Sequence, residues 1–240
     1  MSEMRQHESR TATFGSRSED RKEELGEGGR AVPVGVSMLV RNRMTKDPVT
    51  VTGDDLMIQA RLKMQKGGFR RVPVVKDGQL VGIITDRDLR EHAGYLDQTA
   101  VKAAMSEKPV TVTPATTVET AARLMLKRKI GGLPVVEEGR LVGIITSSDI
   151  LQAFLDVTGA LEETTKRIDF LMEGEAGGLA EAARIVAQEG GEVLSVGTYR
   201  KTWGETPVCY LRLRSGDAEA IAKSLGQKGF DVLGVHAFGA

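Results

Sequence analysis

Residues 80–85 read LVGIIT, and the same six letters return at 141–146. In both places the apolar run leads into a polar corner, TDRDL in the first copy and TSSDI in the second. The two copies align without a gap at a constant offset of 61 residues, which places Asp88 on Asp149. Because a repeated unit usually buries its apolar face against its twin, the sequence predicts a pseudo-symmetric pair with a shared cleft.

Both copies carry the signals of the element order β-α-β-β-α. In the first copy, the alternation VTVT at 49–52 predicts a short strand, and turn residues at 53–55 start a helix that runs to about Lys66. VPVV and LVGIIT then form a hairpin over the turn at 76–78, and a second helix follows Thr85. The second copy repeats this order, with a helix from about Thr116 to Lys129, strands near 133–136 and 141–145, and a helix from Ser147 to about Val157.

This pattern resembles the cystathionine β-synthase (CBS) domain, whose tandem pair is called a Bateman module. The resemblance is carried by MTKDPVTV at 44–51 and VPVVKDGQLVGIITDRDL at 72–89, and by MSEKPVTV at 105–112 and LPVVEEGRLVGIITSSDI at 133–150. It implies a regulatory module that senses adenine nucleotides or other adenosyl compounds. The regulatory ligands that it suggests are AMP, ADP, ATP and S-adenosylmethionine.

A different pattern follows the repeat. Its predicted elements are a strand RIDFLM, a helix GLAEAARIVAQEG, strands EVLSVGTYR and TPVCYLRLR, a helix DAEAIAKSLGQKG and a strand FDVLGVHAF. The order βαββαβ is the split-βαβ or ferredoxin-like arrangement. The first of these helices is predicted to present one apolar face made of Leu179, Ala182, Ala183 and Val186.

In detail this part is similar to the ACT domain, a family of small-molecule sensors often specific for amino acids. The resemblance implies an amino acid as the effector, bound at a glycine turn between the first strand and the first helix. Alanine stands at 176, where the family usually has proline. The residues assigned to the ligand turn are Ala176, Gly177, Gly178 and Leu179.

We therefore predict an α+β (mixed α/β) protein, in which a CBS-domain pair with pseudo-two-fold symmetry precedes a ferredoxin-like ACT domain. The N-terminal segment is rich in Ser, Glu, Arg and Gly and has almost no periodic apolar residues, so it cannot bury enough surface to become ordered. Because the repeat pattern begins near Met38, we expect the biological start there. The layout as a whole resembles acetoin-utilisation accessory proteins. The predicted limits are 1–37 for a disordered extension, 38–98 and 99–158 for the CBS domains, 159–166 for a linker and 167–240 for the ACT-like domain.

Composition and missing motifs exclude several classes of function. The 33 basic and 33 acidic residues balance, so no overall field attracts nucleic acid or an anionic membrane. A single cysteine, Cys209, is expected in a strand core, and the absence of an 18-residue apolar run or a signal peptide predicts a cytoplasmic protein. No phosphate-binding glycine motif occurs, and the three histidines lack metal-ligand spacing. The sequence thus predicts a protein that is not an enzyme and holds no metal.

The polar corner T-x-x-D is the first candidate site. By resemblance, Thr85 and Asp88 bind ribose and a nearby phosphate in one site, and Thr146 and Asp149 do so in the other. An ionised Asp accepts the two hydroxyl donors of a ribose, and the helix N-terminus favours phosphate. The same pattern is also a relative of the capping box, so both interpretations stay open. By family position, adenine is assigned to Val49, Thr50, Val51, Val110, Thr111 and Val112.

The two copies differ in charge beside the corner. Arg70, Arg71 and Arg87 of the first copy correspond to Gly131, Gly132 and Ser148 of the second. Because arginine forks bind phosphate bidentately, we expect the first-copy site to prefer a phosphorylated nucleotide and the second-copy site a less negative adenosyl ligand. In one alternative the arginines are merely solvated. In another, charge for the second site comes from Lys127, Arg128 and Lys129.

Two functional hypotheses follow. In the first, a ligand in the CBS cleft changes the shape or the dimer geometry, and the ACT-like domain binds a second effector or relays the state. A homodimer is the default, because both families commonly self-associate. In the second, the nucleotide corners are vestigial, and the protein is an adaptor that binds a partner enzyme, which the resemblance places in acetoin catabolism.

Overall fold

The computed structural model describes residues 38–171, 178–200, 202 and 206–238. The segment 1–37, predicted to be disordered, lies outside the described residues, as do Ala176 and Gly177 of the predicted ligand turn. The repeated part contains β1 (Thr45–Lys46), α1 (Met57–Gly67), β2 (Arg71–Lys76), β3 (Gln79–Thr85), α2 (Asp86–Glu91), β4 (Ser106–Glu107), α3 (Val118–Arg128), β5 (Gly132–Glu137), β6 (Arg140–Thr146) and α4 (Ser147–Val157). The C-terminal part contains β7 (Thr165–Leu171), α5 (Gly178–Gln188), β8 (Glu192–Tyr199), β9 (Val208–Ser215), α6 (Ala218–Gln227) and β10 (Asp231–Phe238).

Each repeat is built around a hairpin, β2–β3 in the first and β5–β6 in the second. Their two-residue turns are Asp77-Gly78, with φ of 52° and 78°, and Glu138-Gly139, with φ of 48° and 81°. Positive φ at both central residues is the geometry of a type I′ turn, whose twist matches that of the paired strands. The hairpins predicted from VPVV and LVGIIT are therefore confirmed.

The first helix of each repeat lies close to its predicted place. α1 begins at Met57, because Asp55 closes a turn instead of capping the helix: its Oδ2 accepts a hydrogen bond from Thr52 N at 2.8 Å. Gly68 ends α1 in the left-handed region, with a φ of 67°. In the second repeat, Thr117 caps α3 through its side chain.

The predicted strand at 49–52 is reduced to one residue. Val51 alone bridges in parallel to Val74 of β2, and Val112 forms the same kind of bridge in the second repeat. Two backbone hydrogen bonds, of 3.1 and 2.9 Å, hold Val51 to β2. The turn that Asp55 closes then carries the chain away from β2, so the pairing cannot extend.

The short strands that precede the repeats are exchanged between them. β1 precedes the first repeat but pairs antiparallel with β6 of the second, and β4 pairs with β3 of the first. The one-turn 3-10 helices before these strands follow the same exchange: Val40 lies in the core of the second repeat and Val101 in the core of the first. Together with a contact between β3 and β6, these pairings join both repeats into one six-stranded sheet. The sequence had not predicted the exchange.

A glycine makes room for each exchanged strand. Gly82 and Gly143 are the third residues of the two LVGIIT stretches. A Cβ atom added at Gly82 would lie 2.5 Å from Met105 Sδ and 3.1 Å from Ser106 O. At Gly143 the corresponding distances to the other crossing chain are 2.5 and 3.0 Å. Any larger residue at these positions would displace the strand that crosses it.

We expect Gly82→Ala and Gly143→Ala each to lower the free energy of unfolding by about 1–3 kcal/mol, because the added methyl group overpacks the crossing. Gly94→Ala is the matched control, since a Cβ at Gly94 meets nothing within 4 Å, and it should change stability by less than about 0.5 kcal/mol. Urea unfolding followed by circular dichroism measures all three variants. Equal stability of the three would contradict the packing of the exchanged strands.

The C-terminal part has the element order βαββαβ, with its four strands in one antiparallel sheet of order β10-β7-β9-β8. Cys209 is fully buried in the core between this sheet and its two helices, as predicted, and burial raises the pKa of its thiol. The predicted face of α5 is partly wrong, since Leu179 and Ala183 are exposed and Ile185 is buried instead. Packing against the sheet, which propensity does not reveal, sets the rotation of α5. The core residues are Ile168, Phe170, Ala182, Ile185, Val186, Cys209, Leu211, Leu213, Ala218, Ile221 and Leu225.

The opposite face of this sheet holds a buried carboxylate. Asp169 is 4% exposed and accepts two hydrogen bonds from Arg167, at 2.6 and 2.7 Å, and one from Tyr199 Oη at 2.9 Å. The Arg167 guanidinium lies 5.3 and 4.8 Å from the ring centroids of Tyr199 and Tyr210. Burial acts to raise the pKa of Asp169, but the hydrogen bonds from Arg167 and Tyr199 outweigh it and leave this pKa below its usual value.

The C-terminal sheet contacts the end of α4. Ser195 Oγ donates a hydrogen bond to Thr158 O at 2.7 Å. Gly159, with a φ of 67°, turns the chain at a point where a Cβ atom would lie 2.6 Å from the Leu194 side chain. Arg214 of β9 pairs with Glu162 at 3.1 Å. The segment 158–162 therefore holds the second repeat against the sheet.

Asp169→Asn should lower the free energy of unfolding at pH 7 by about 2 kcal/mol, because it removes the charged acceptor of Arg167. The folded-state pKa of Asp169 lies below its unfolded value of about 3.9, so this stabilisation is complete above that pH and is lost as the pH falls through the folded pKa. Urea unfolding between pH 3 and pH 7 should show the variant and the wild type converging in acid. Asp217→Asn, which keeps a good N-cap, is the control and should cost little. An Asp169→Asn deficit that is independent of pH would contradict the role of the carboxylate.

Candidate functional site

Both polar corners are capping boxes at the start of a helix. Before α2, the backbone N–H and Oγ1 of Thr85 both donate to Asp88 Oδ2 at 2.8 Å, and the backbone N–H of Asp88 donates to Thr85 Oγ1 at 3.5 Å. Before α4, Thr146 and Asp149 repeat these contacts at 2.7, 2.8 and 3.4 Å. The capping interpretation is therefore confirmed for both copies.

The cap leaves part of each carboxylate available. Oδ2 of Asp88 and of Asp149 accepts the cap hydrogen bonds, whereas Oδ1 accepts none from the residues that the structure describes. Both side chains are half-buried and line a cavity. One oxygen can thus accept from a ligand hydroxyl while the other keeps the helix capped.

Two cavities of about 570 Å³ lie at the junction of the repeats. The first, here the Asp149 pocket, joins the corner of the second repeat to Val49 and Phe69 of the first. The second, the Asp88 pocket, joins the corner of the first repeat to Val110 and Ile130 of the second. Each pocket is lined by residues of both repeats. This is because the segment that follows each exchanged strand lies against the hairpin of the other repeat.

Few of the predicted adenine-binding residues line the cavities. Val49 lies in the Asp149 pocket and Val110 in the Asp88 pocket. Val51 and Val112 instead belong to the cores, because their backbones bridge to β2 and β5. The predicted residues that line neither pocket are Thr50, Val51, Thr111 and Val112.

Basic residues are concentrated in the Asp88 pocket. Its seven basic side chains are Arg70, Arg71, Arg87, Arg90, Lys108, Arg128 and Lys129, and its three acidic ones are Asp86, Asp88 and Glu107. The Asp149 pocket has two of each sign, namely Arg70, Arg71, Asp47 and Asp149. Arg128 and Lys129 thus add charge to the pocket of the first corner, not the second, and Lys127 lines neither. The repeat to which a residue belongs does not tell which pocket it lines.

Arg71 lies between the two pockets and lines both. Its side chain crosses to the second repeat, where a Cβ on Gly131 would lie 2.7 Å from Nη2 and a Cβ on Gly132 would lie 2.6 Å from Nη1. Arg71 is half-buried, and no carboxylate of the described residues pairs with it. Burial, and then the neighbouring charge of Arg70, lower the pKa of Arg71. Among the described residues, therefore, a cation without a carboxylate partner lies between the two pockets.

Phe69 and Ile130 are among the wall residues that the sequence interpretation missed. Phe69 lines the Asp149 pocket beside Gly68, and Ile130 lines the Asp88 pocket. The two occupy the same place in their repeats, directly after the first helix, so the offset of 61 residues pairs them. A search for apolar residues at matched positions next to the arginines would have found both.

The predicted ACT ligand turn leads into α5. In the predicted ACT ligand turn, Gly178 begins α5 and Leu179 is 39% exposed, while Ala176 and Gly177 lie outside the described residues. Within the described ranges, no group of three His, Cys, Asp or Glu side chains could hold a metal ion. No helix of these ranges is both long and apolar enough to cross a bilayer.

Comparison with known proteins accounts for the doubled corner. A family model described as the CBS domain matches residues 39–95 and 101–156. A CBS domain-containing protein of Dictyostelium discoideum is 35% identical over 137 residues, which cover 51% of this chain and 94% of that protein. The chain belongs to the CBS domain family. Its two CBS repeats are the two halves that the offset of LVGIIT defines.

Two further proteins match about half of this chain. Inosine-5'-monophosphate dehydrogenase of Korarchaeum cryptofilum is 38% identical over 108 residues, which cover 44% of this chain and 22% of that enzyme. This chain therefore spans about a fifth of the length of that relative. A crystal structure of a candidate acetoin utilization protein (AcuB) from Vibrio cholerae shares 31% identity with a TM-score of 0.48, and the match covers 52% of this chain and 96% of that one.

Thr85→Ala and Asp88→Ala should each lower the free energy of unfolding by about 1 kcal/mol without any ligand, because each removes half of the cap. The double variant should cost less than the two single ones together, since Thr85 Oγ1 and Asp88 Oδ2 share the 2.8 Å hydrogen bond. Urea unfolding of the four proteins of this cycle measures the coupling. Asp86→Ala, which removes an acid from the same turn but not from the cap, is the control. Strict additivity would be inconsistent with a reciprocal cap.

Proposed function

We propose that this CBS protein is a regulatory sensor that binds an adenine nucleotide or another adenosyl ligand in its cleft. The observation that carries the proposal is Arg71, a half-buried cation without a carboxylate partner in the described residues, placed between two corners that each offer a free carboxylate oxygen. Phosphate is an anion that arginine forks bind well, and a ribose diol suits the carboxylate. A nucleotide carries both groups.

The dimensions of the pockets support a ligand of this size. About 570 Å³ each falls within the range of about 300–1,000 Å³ that is usual for small-molecule sites. Val49 and Phe69 in one pocket, and Val110 and Ile130 in the other, offer apolar surface to a planar base. The base, the sugar and the phosphate would then each meet a matching part of the wall.

Contacts to ribose alone give too little affinity. Hydrogen bonds to a charged group contribute about 1.5–3 kcal/mol each, so two of them correspond to dissociation constants from about millimolar to tens of micromolar before entropic costs. The rest must come from burial of the base and from phosphate contacts with the arginines. This is why the basic residues decide which ligand each pocket prefers.

The unequal charge of the pockets supports different ligands. In the Asp88 pocket Arg87, Arg128 and Lys129 join Arg71, which favours AMP, ADP or ATP. Basic and acidic side chains balance in the Asp149 pocket, which favours an adenosyl ligand with less negative charge, such as S-adenosylmethionine. We therefore propose, as expected from the sequence, that the two sites differ and that the Asp88 pocket prefers the phosphorylated ligand.

In our proposal the C-terminal part, as an ACT-like domain, relays the state of the cleft or binds a second effector such as an amino acid. α4 starts at the Thr146 corner and ends at Thr158, whose carbonyl accepts the hydrogen bond from Ser195 of the C-terminal sheet. A movement of the corner on ligand binding would therefore reach this sheet through one helix. Regulation by linkage requires such a connection between two sites.

Self-association is part of the proposal. Leu151, Phe154 and Val157 of α4 are 58%, 60% and 57% exposed and follow one another at intervals of three residues. This spacing places them along one stripe of the helix. Exposed apolar stripes commonly mark interfaces, which supports a homodimer.

A second candidate function is an interaction adaptor, and the complete caps favour it. Both corners form their capping boxes without a ligand, so Thr85, Asp88 and their counterparts would persist for structural reasons in a protein that does not bind nucleotide. In that case the apolar stripe of α4 would contact a partner enzyme. A link to acetoin catabolism would belong to this alternative.

Calorimetric titration with AMP, ATP and S-adenosylmethionine tests the proposal. Arg87→Ala should weaken AMP binding by about tenfold, because it removes one phosphate contact of the Asp88 pocket, and should leave S-adenosylmethionine within about threefold. Lys127→Ala is the matched control, since Lys127 lines neither pocket.

A thermal-shift series separates the two candidate functions. A ligand at 100 times its dissociation constant should add about 2.7 kcal/mol of stability, which raises Tm by a few degrees. The absence of heat and of any shift with all three ligands would favour the adaptor. An AMP affinity that is identical in wild type and Arg87→Ala would remove the charge-based assignment of the Asp88 pocket.

A further inference from the structure

The boundary between the two pockets is not symmetric. On the side of the second repeat stand Gly131 and Gly132, and the Arg71 side chain of the first repeat fills the space that side chains there would occupy. Both pockets are lined by Arg70, Arg71 and Gly131. Where two-fold symmetry would supply arginines from both repeats, this boundary has, among the described residues, only those of the first: Arg70, which also lines both pockets, and Arg71, whose guanidinium lies against Gly131 and Gly132.

We propose that Arg71 is an anion-binding residue shared by both pockets. A phosphorylated ligand in one pocket then lowers the affinity of the other for a second phosphorylated ligand, but not for an uncharged one. The inference rests on the proposed function and adds to it a rule of occupancy, with one phosphate beside Arg71 at a time.

The geometry of arginine supports this rule. A guanidinium carries one positive charge on one stem, so a phosphate that binds it through two parallel hydrogen bonds draws the side chain toward its own pocket and away from the other. The first phosphorylated ligand should enter the Asp88 pocket, where Arg87, Arg128 and Lys129 also contribute. Arg71 is then drawn toward that phosphate. The charged side chains left to the Asp149 pocket are Arg70, Asp47 and Asp149.

An uncharged adenosyl ligand makes no demand on Arg71, so the Asp149 pocket can take it whether or not the Asp88 pocket is filled. Coupling between two binding sites is reciprocal and commonly amounts to about 5–150-fold in affinity. We expect a loss of about tenfold for two phosphorylated ligands. Adenosine as the second ligand should show a loss of less than about twofold.

The test uses AMP and adenosine, which differ only in the phosphate, and the full chain. Calorimetry gives the two stepwise affinities of the wild type, while Asp88→Ala and Asp149→Ala give the intrinsic affinity of the pocket that each leaves intact. With AMP, the second step in the wild type should be about tenfold weaker than the intrinsic value. Adding Arg71→Ala to all three proteins should reduce this loss to less than about threefold, and adding Lys127→Ala, at a residue that lines neither pocket, should preserve it.

A second variant moves Arg71 without removing its charge. In Gly132→Ala the new Cβ would stand 2.6 Å from Nη1, so the guanidinium must leave the boundary, and the coupling should fall as in Arg71→Ala. Repulsion between two bound phosphates acts in every variant, so an equal or larger loss in Arg71→Ala would overturn the shared use of Arg71 and leave the proposed function standing. If neither AMP nor adenosine binds the wild type, the proposed function fails, and this inference fails with it.

Discussion

The exchange of β1 and β4 between the repeats is the constraint on which the cleft depends. Each exchanged strand crosses a glycine of the opposite hairpin, where the chains approach too closely for any side chain. The chain that follows the crossing leads directly to Val49 in one case and to Val110 in the other. The exchange therefore places an apolar wall of one repeat opposite the carboxylate of the other. An isolated repeat would have a corner and a core but only one side of a pocket.

The corners cap two helices and, under the proposed function, would also bind a ligand. Because Oδ2 of each Asp is held by the backbone and hydroxyl of a Thr three residues earlier, the carboxylate is fixed before any ligand arrives. Fixing a side chain in advance lowers the entropic cost of binding. Asp88 and Asp149 are thus structural residues whose remaining oxygen is already oriented. The choice between capping and binding that the sequence leaves open is not a choice between exclusive roles.

The sequence was sufficient for features that are decided locally. The type I′ turns, the hairpins, the Gly68 helix end and the caps at Thr85 and Thr146 each depend on a few neighbouring residues, and all were predictable. The exchange was not, because β1 and β4 are two residues long and pair with residues about 98 and about 24 positions away in the chain, respectively. Without it, the sequence does not tell which residues line which pocket, and the structure places Arg128 and Lys129, which one alternative assigned to the second-copy site, in the Asp88 pocket. The rotation of α5 was missed for a related reason, since the sheet beneath the helix decides which residues it buries.

The two helices that start at the corners differ in length. The same tilt at both corners would therefore displace their far ends by different distances. α2 has six residues and α4 has eleven, which correspond to about 9 Å and about 16 Å of rigid rod. A tilt of about 5° at the corner displaces the far end of the longer rod by about 1.4 Å, close to one residue's rise along its axis. That far end is fastened to the C-terminal sheet through Thr158 and Ser195. Under the proposed relay, the same tilt at a corner would therefore move the far end of α4 further than that of α2.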